Sequence, residues 1–236
     1  MNRKSAFLTT TMGVCLTAMV CCALWGSAFP CIKIGYQLFQ IDGNDISSQL
    51  LFAGCRFTLA GLLTILLGSL MNRRPLIPRK TSWIRIAKLS LFQTVIQYLF
   101  FYVGLAHTTG VKASIIEASN VFVAILIASL IFRQEKLDKH KIIGCIAGFA
   151  GVVLININQS GLDMSLSLTG EGFILLSTIA YAVSSVLIKI YSREDNPVML
   201  SGWQFLLGGI IMILCGYLTG GSVSVWTAPS ISMLFY

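Results

Sequence analysis

Two opposite charges lie inside apolar stretches of the sequence, where ionised groups are rare. Arg56 falls in the stretch 49–70 and Glu117 in the stretch 113–132. A charge at the centre of a membrane helix costs about 2.5–3.5 kcal/mol on insertion scales, so both side chains must face a protein interior or a wet cavity. Two roles fit such a pair: an ion pair that lets two helices insert and pack, or a binding site for an ionic solute or a proton.

Both charges are predicted to lie at a similar depth below the outer face of a membrane. At about 1.5 Å of rise per residue, Arg56 lies about 10 Å and Glu117 about 6 Å from the outer end of its stretch. Their side chains could therefore meet. Glu117 is the acidic residue well inside an apolar stretch, so it is the first candidate for carrying a coupling proton.

A further cation, Lys33, shares one helical face with Trp25 in the first apolar stretch. Its stem can lie along that helix while the ammonium group reaches the outer interface. Snorkelling alone explains this arrangement, and contact with a solute is the alternative. Tyr181 and Lys189 occupy a similar face in the stretch 172–191, which ends on the inner side, so Lys189 is a candidate gate residue.

Amide and aromatic side chains supply the remaining candidates for a binding pocket. One helical stripe, with spacings of four, three, four and three residues, is formed by Gln93, Gln97, Phe100, Gly104 and His107. Gln97 lies near the middle of its stretch, and Asn120 and Trp203 complete the predicted pocket. The alternative is hydrogen bonding between helices, which contributes about 0.6–2 kcal/mol per buried amide.

Seven long apolar stretches carry these residues, near 7–36, 49–70, 86–107, 113–132, 142–157, 172–191 and 198–219. Hydrophobic residues make up 56% of the chain and charged residues 11%. Soluble domains have about 45–50% and about 25%. Because about 20 apolar residues cross a bilayer as a helix, the sequence predicts an all-α integral membrane protein in contact with lipid.

Charge is segregated between alternate loops. Most of the 17 basic residues lie near one predicted face, at positions 3–4, 73–88, 133–141 and 189–193. The opposite loops hold Lys112 together with Asp42, Asp45, Asp163 and Glu171. Since Lys and Arg concentrate in cytoplasmic loops, the N-terminus is predicted to be cytoplasmic. The chain is expected in the plasma (inner) membrane. Topology thus explains the net charge of +8, and no nucleic-acid partner is expected.

Motifs of catalysis and metal binding are missing from the sequence. The seven cysteines all fall inside apolar stretches, and the histidines, His107 and His140, are far apart. No HExxH, GxSxG, P-loop or GxGxxG pattern occurs. We therefore expect no metal or other cofactor and no enzymatic activity.

An internal repeat is visible on self-comparison. ALWGSAFPCIKIGY at 23–36 aligns with AYAVSSVLIKIYSR at 180–193 at an offset of 156, and AGCRFTLAGL at 53–62 aligns with SGWQFLLGGI at 201–210 at an offset of 148. Gln204 then stands where Arg56 stands, so the central site is predicted to be asymmetric in charge.

The repeat predicts two units of five helices, of which residues 1–157 form the first and 172–236 the first part of the second. An odd number of spans makes the second unit enter the membrane from the opposite side, so the two units are inverted. A complete second copy would continue to about residue 305, so the chain is expected to be C-terminally incomplete by about three helices.

Three segments resemble the EamA-type domain of the drug/metabolite transporter superfamily: LWGSAFPCIKIG, RFTLAGLL and the run GLAHTTGVKASIIEASNVFVAILIASLIFRQEKLDKHKIIGCIAGFAGVVLI. The resemblance covers nearly the whole chain. It implies a ten-helix carrier that moves small metabolites by alternating access. Many relatives have a proline in the fourth helix where this chain reads SNVFVA, so the residue that would kink that helix is missing.

The sequence and the resemblance together predict a secondary transporter of amino-acid-like or other small organic solutes, working in efflux. A non-transporting receptor or assembly subunit is the alternative. A membrane-embedded enzyme acting on lipids would need clustered His, Asp or Ser groups at one interface, which the sequence does not contain. Gly144, Gly148 and Gly151 are predicted to allow close helix packing, either within the chain or in a homodimer.

Overall fold

The computed structural model describes residues 10–134, 137–157, 167–223 and 227–234, and every regular element within these ranges is a helix. In chain order these are α1 (Thr11–Leu38), α2 (Ile46–Asn72), α3 (Ser82–Ala106), α4 (Lys112–Ile131), α5 (Lys139–Ile157), α6 (Leu168–Tyr191), α7 (Pro197–Leu218) and α8 (Ala228–Leu234). Each predicted apolar stretch coincides with one of the first seven helices. Five of them, α2, α3, α4, α6 and α7, are long and apolar enough to cross a membrane.

Local sequence determines where two of the central helices begin. At the start of α2, the Asp45 carboxylate accepts a hydrogen bond of 3.0 Å from the Ser48 N–H. At the start of α7, the Asn196 side chain accepts from the Val198 N–H at 2.9 Å, and Pro197 occupies the first helical position. Side-chain oxygens at the cap and proline in the first turn satisfy or remove the N–H groups that a helix start leaves unpaired.

The described helices fall into two compact units. One contains α1 and α8, which contact each other. The other, residues 43–222, contains α2 to α7. Within this second unit α7 packs against α2 and α3, α6 packs against α3 and α4, and α5 packs against α4.

Glycine lines the contact between α2 and α7, which run antiparallel. It recurs every seven residues on both helices, at Gly54, Gly61 and Gly68 and at Gly202, Gly209 and Gly216. A Cβ atom on Gly61 would lie 2.5 Å from the backbone N of Leu206, and one on Gly209 would lie 2.5 Å from the backbone N of Thr58. The two backbones are therefore in direct contact. We call these six glycines the glycine seam.

Glycines outside the seam differ in how closely they are packed. A Cβ on Gly208 would lie 2.5 Å from Cβ of Thr94, so α7 also packs closely against α3. On α5, a Cβ on Gly144, Gly148 or Gly151 would meet nothing within 4 Å. These three glycines do not provide a close packing contact within the described part of this chain.

Polar and apolar side chains are distributed as expected where lipid is the solvent. Large apolar side chains are exposed on the outside of the helices, among them Leu66, Leu67, Ile143, Leu154 and Leu214. Thr94 and Gln204 are fully buried inside the unit. Where lipid is the solvent, polar groups are expected to lie inside the protein and the lipid-facing surface to be apolar.

The helix α4 is interrupted although it contains no proline. The Ser119 N–H donates to the carbonyl of Ile116 at 3.0 Å, and the Ser119 hydroxyl donates to the same carbonyl at 2.6 Å. This tighter turn separates the regular segments Gly110–Ala118 and Asn120–Leu126. A serine hydroxyl that bonds back to its own helix therefore breaks the α-helical pattern here.

Candidate functional site

Four helices bring polar side chains together around Tyr98, in the middle of α3. Tyr98 lies within electrostatic range of Arg56 of α2, Glu117 of α4 and Tyr181 of α6. Three of these four residues were predicted from the sequence as parts of one site. We call the four together the central polar site.

The two charges of the central polar site do not pair with each other. No ion pair joins Arg56 to Glu117 in the part of the chain that the structure describes, so the predicted direct contact is not formed. The Arg56 guanidinium carbon lies 5.8 Å from the centre of the buried Phe52 ring, a cation–π contact. Tyr98 of α3, a helix that contacts both α2 and α4, interacts with both charges.

Aromatic rings line one side of the site. The ring of Phe57 lies 4.7 Å from that of Tyr98, centre to centre, and 5.6 Å from that of Phe205. Tyr98 in turn lies 6.2 Å from Tyr102. These rings give an apolar wall beside the charges, and such a wall suits a solute that has both apolar and ionic parts.

Buried amide and hydroxyl atoms near the site lack partners. The amide oxygens of Gln93, Gln97 and Asn120, and the amide nitrogen of Gln204, have no hydrogen-bond partner among the described residues. The Gln204 oxygen accepts from the Thr94 hydroxyl at 3.4 Å. Since leaving a buried polar group unpaired costs about 1–3 kcal/mol, these atoms are suited to bind a solute or water.

The predicted stripe on α3 divides into a polar half and a packing half. Phe100 packs edge-on against Phe173 of α6 at 5.3 Å between ring centres. A Cβ on Gly170 would lie 2.6 Å from the carbonyl oxygen of His107, so α6 touches α3 here. The part of the stripe from Phe100 to His107 therefore packs against α6. The other part, Gln93 and Gln97, carries the polar atoms without partners.

Trp203 lies apart from this group. Its indole N–H donates to the Leu76 carbonyl at 2.8 Å, and its ring stands edge-on to Trp83 at 5.1 Å between centres. It packs beside a buried apolar cluster that includes Leu200. The indole N–H of Trp203 is therefore already bonded to the loop that precedes α3. The structure does not bring Trp203 to Gln97 or Asn120.

The remaining predicted site residues lie at helix ends or outside the described side chains. Lys189 is exposed near the end of α6, where a gate residue was predicted. Trp25 and Lys33 belong to α1, but their side chains lie outside the described residues.

A polar cluster around Glu171, which the sequence placed in a loop, connects three segments at one end of the unit. The Glu171 carboxylate accepts from the Thr108 hydroxyl at 2.6 Å and from the Ser167 N–H at 2.7 Å, and it lies 3.3 Å from the Lys112 ammonium. Glu171 is 8% exposed at the start of α6. These bonds fix the beginning of α6 to the connection between α3 and α4.

A second cluster, around Asp195, lies at the opposite end of α6. Arg85 of α3 donates to the Asp195 carboxylate at 2.7 Å and also pairs with Glu194, and the Ser82 hydroxyl donates to Asp195 at 2.8 Å. Burial acts to raise the pKa of Asp195, but the Ser82 and Arg85 hydrogen bonds oppose it, and the net pKa is lowered. The α3–α6 pair is therefore fastened at both ends.

Sequence reasoning missed Tyr98 and the partners within both clusters. Tyr98 carries no charge and lies outside the stripe that contains its neighbour Gln97. Its spacing of four residues from Tyr102 was the available signal, because it places two hydroxyl-bearing rings on one face of α3.

The helices of residues 43–222 combine an apolar surface with polar side chains in the interior. The model of the EamA-like transporter family matches residues 12–157 and 168–236. This chain belongs to the EamA-like transporter family, and it is a multi-pass membrane protein.

This chain spans between half and about 70% of the length of three curated relatives, two of which carry transporter names. A WAT1-related chloroplastic protein of Arabidopsis thaliana is 27% identical over 90% of this chain and 50% of its own length. An uncharacterized transporter of Bacillus subtilis is 25% identical over 90% of this chain and 66% of its own. One from Archaeoglobus fulgidus is 30% identical over 90% of this chain and 70% of its own. No solved structure matches the chain.

Proposed function

We propose that this protein is a secondary transporter that moves amino-acid-like or other small organic solutes out of the cell across the plasma membrane by alternating access. The observation that carries the proposal is the central polar site, where Arg56 and Glu117, on different helices, both lie within electrostatic range of Tyr98 and form no ion pair with each other. An unpaired cation and an unpaired anion inside an apolar bundle suit a solute that carries both charges.

Hydrogen-bonding groups near the charges support the same class of solute. The unpartnered amide oxygens of Gln97 and Asn120 can accept from an ammonium group or a hydroxyl. The rings of Phe57 and Tyr98 supply an apolar wall. If a proton drives transport, Glu117 is its carrier in this proposal, while exchange or uniport would leave that carboxylate to bind the solute alone.

The contacts of the glycine seam support inverted repeats. Gly61 approaches Leu206, and Gly209 approaches Thr58. Adding the sequence offset of 148 to Gly61 and Thr58 gives Gly209 and Leu206, so each contact is the image of the other. Two inverted units would place α2 and α7 in equivalent positions and so give equivalent contacts. In this proposal residues 1–157 form the first unit and residues 172–236 form part of the second.

Alternating access would open and close the two ends of the unit, residues 43–222, in turn. The Glu171 and Asp195 clusters fasten α3 to α6 at opposite ends, and Lys189 lies near the Asp195 end as a gate residue. In this proposal the N-terminus is cytoplasmic. We also keep the prediction of a homodimer, in which two copies would pack through Gly144, Gly148 and Gly151 on α5.

Flux measurements on the full chain in proteoliposomes test the proposal. A panel of metabolites, with zwitterions, anions and neutral compounds in equal number, is loaded and its release is followed by mass spectrometry. We expect one class of zwitterion to be released, and Arg56→Gln and Glu117→Gln to slow it about tenfold or more, since hydrogen bonds to charged groups contribute about 1.5–3 kcal/mol.

Arg193→Gln is the matched control, because Arg193 bonds to Gln134 at a loop, away from the central polar site. Its flux should equal that of the unmodified chain. Release of no compound by correctly folded protein would reject the transport proposal and favour a receptor or assembly subunit. Equal loss in all three variants would reject the role given to the central polar site.

A further inference from the structure

The loop between α2 and α3, residues 73–81, carries a concentration of basic side chains that transport does not use. Four of its residues are basic and exposed: Arg73, Arg74, Arg79 and Lys80. None of them forms an ion pair in the ranges the structure describes. We call residues 73–81 the basic loop.

Hydrogen bonds hold the basic loop in a defined position. The Leu76 N–H donates to the Ser69 hydroxyl at 3.0 Å, and the Leu76 carbonyl accepts from the Trp203 indole at 2.8 Å. The Leu76 side chain packs against Gly68, where a Cβ would lie 2.6 Å away. The cations therefore extend from a backbone fixed to α2 and α7, so less conformational entropy is lost when they bind a ligand.

Exposed apolar side chains lie beside these charges. Ile77, inside the basic loop, is 71% exposed, and Trp83, the second residue of α3, is 40% exposed. Tryptophan is enriched where a helix crosses the boundary between acyl chains and headgroups. Cations and apolar groups thus occur together at one end of two helices that are long enough to span a membrane.

Acidic neighbours do not cancel the charge of the basic loop. Glu194 and Asp195 are the carboxylates of the adjacent connection between α6 and α7, and both pair with Arg85. Arg79 also interacts electrostatically with Asp195 but forms no ion pair with it. Three exposed cations, Arg73, Arg74 and Lys80, stay without any carboxylate partner among the described residues.

We propose that the basic loop binds the phosphate headgroup of an anionic phospholipid, with Ile77 and Trp83 against its acyl chains. Charge complementarity favours an anionic headgroup, and the adjacent exposed apolar groups favour a lipid over a free anion. Each Lys or Arg near an anionic membrane surface strengthens binding about fivefold. Lipid binding here depends neither on the transport proposal nor on the orientation of the chain.

Titration of the purified full chain in detergent, followed by native mass spectrometry, tests the site. The probes are phosphatidylglycerol, phosphatidylcholine and inorganic phosphate. We expect phosphatidylglycerol to bind about tenfold or more tightly than phosphatidylcholine, and R79Q/K80Q to remove most of that preference. Inorganic phosphate should not displace the lipid.

The matched control is R133Q/K139Q, which removes one exposed Arg and one exposed Lys from the connection between α4 and α5. This variant should keep the lipid preference within about twofold of the unmodified chain. Equal losses in both double variants would show diffuse charge attraction and overturn the proposal, as would displacement by inorganic phosphate. If R79Q/K80Q does not fold, R73Q/R74Q provides the same comparison.

Discussion

The rings of Phe57 and Phe205 stack on each other, with centres 5.6 Å apart and planes inclined by only 9°. The two residues are also equivalent under the offset of 148 that relates 53–62 to 201–210. If a two-fold rotation relates the two segments, a residue that contacts its own equivalent lies close to the rotation axis. The Phe57–Phe205 contact therefore agrees with the paired contacts of the glycine seam, in which Gly61 approaches Leu206 and Gly209 approaches Thr58.

Phe57→Leu and Phe205→Leu are expected to be energetically coupled. Stacked aromatic pairs contribute about 0.5–1.5 kcal/mol beyond their buried area, so the double variant should lose less stability than the two single variants added together. Unfolding of the four proteins in detergent measures this coupling. Phe57→Leu combined with a Leu substitution of Phe149, an exposed ring on α5, should be additive. Additivity in both cycles would contradict the contact.

Gly61→Ala is expected to destabilise the protein, because the added methyl would lie 2.5 Å from the Leu206 backbone and neither backbone can rotate away. Overpacking of this kind costs about 1–3 kcal/mol. Gly148→Ala on α5 is the control, since a Cβ there meets nothing within 4 Å. Its unfolding temperature should stay the same or rise, because alanine favours helix over glycine. Equal destabilisation by both changes would argue against direct backbone contact.

Tyr98→Phe should lower solute flux while leaving the amount of folded protein unchanged. The substitution removes the hydroxyl that interacts with Arg56, Glu117 and Tyr181 but keeps the ring that packs on Phe57. Inside the low-dielectric bundle this electrostatic interaction is stronger than in water, so a loss of flux of about fivefold or more is expected. Tyr217→Phe, at an exposed position near the end of α7, should transport normally. Normal flux through the Tyr98 variant would remove this hydroxyl from the site.

Acid should release the Asp195 cluster. The pKa of Asp195 is lowered in the folded protein, so its contribution to stability is complete above the unfolded value of about 4 and is lost as the pH falls through the lowered folded value. The unfolding temperature of the unmodified chain should therefore decline more steeply below about pH 4 than that of Asp195→Asn. Asp138→Asn, at an exposed loop carboxylate, should keep the steep decline. Parallel curves for all three proteins would show that Asp195 makes no such contribution.

Sequence reasoning located the helices well because their signal is local. Hydrophobic runs of sufficient length identify a helix without knowledge of its neighbours, and α1 to α7 each coincide with one such run. Arg56, Glu117 and Tyr181 were also predictable, since a charge or a repeated face inside an apolar run is visible in the sequence alone.

Contacts between distant segments were not predictable in the same way. Asp195 bonds to Ser82 and Arg85, more than a hundred residues earlier in the chain. Glu171 was placed in a loop because its partners Thr108 and Lys112 belong to another helix connection. Trp203 was assigned to the pocket because nothing local shows that the Leu76 carbonyl already accepts its N–H. Each of these depends on which helices become neighbours.

The seven-residue spacing of the glycine seam restricts how α2 and α7 can move past each other. A slide of one turn, about 5.4 Å, would carry side-chain-bearing residues into positions where only a hydrogen atom fits. Only a slide of two turns, about 11 Å, would bring the glycines of one helix opposite the backbone of the other again. That distance is about one third of the thickness of a bilayer core. Shear along this contact is therefore blocked, while rolling of one helix over the other keeps the backbones touching. A motion of α2 relative to α7 that keeps this contact must therefore be a rotation about it and not a slide along it.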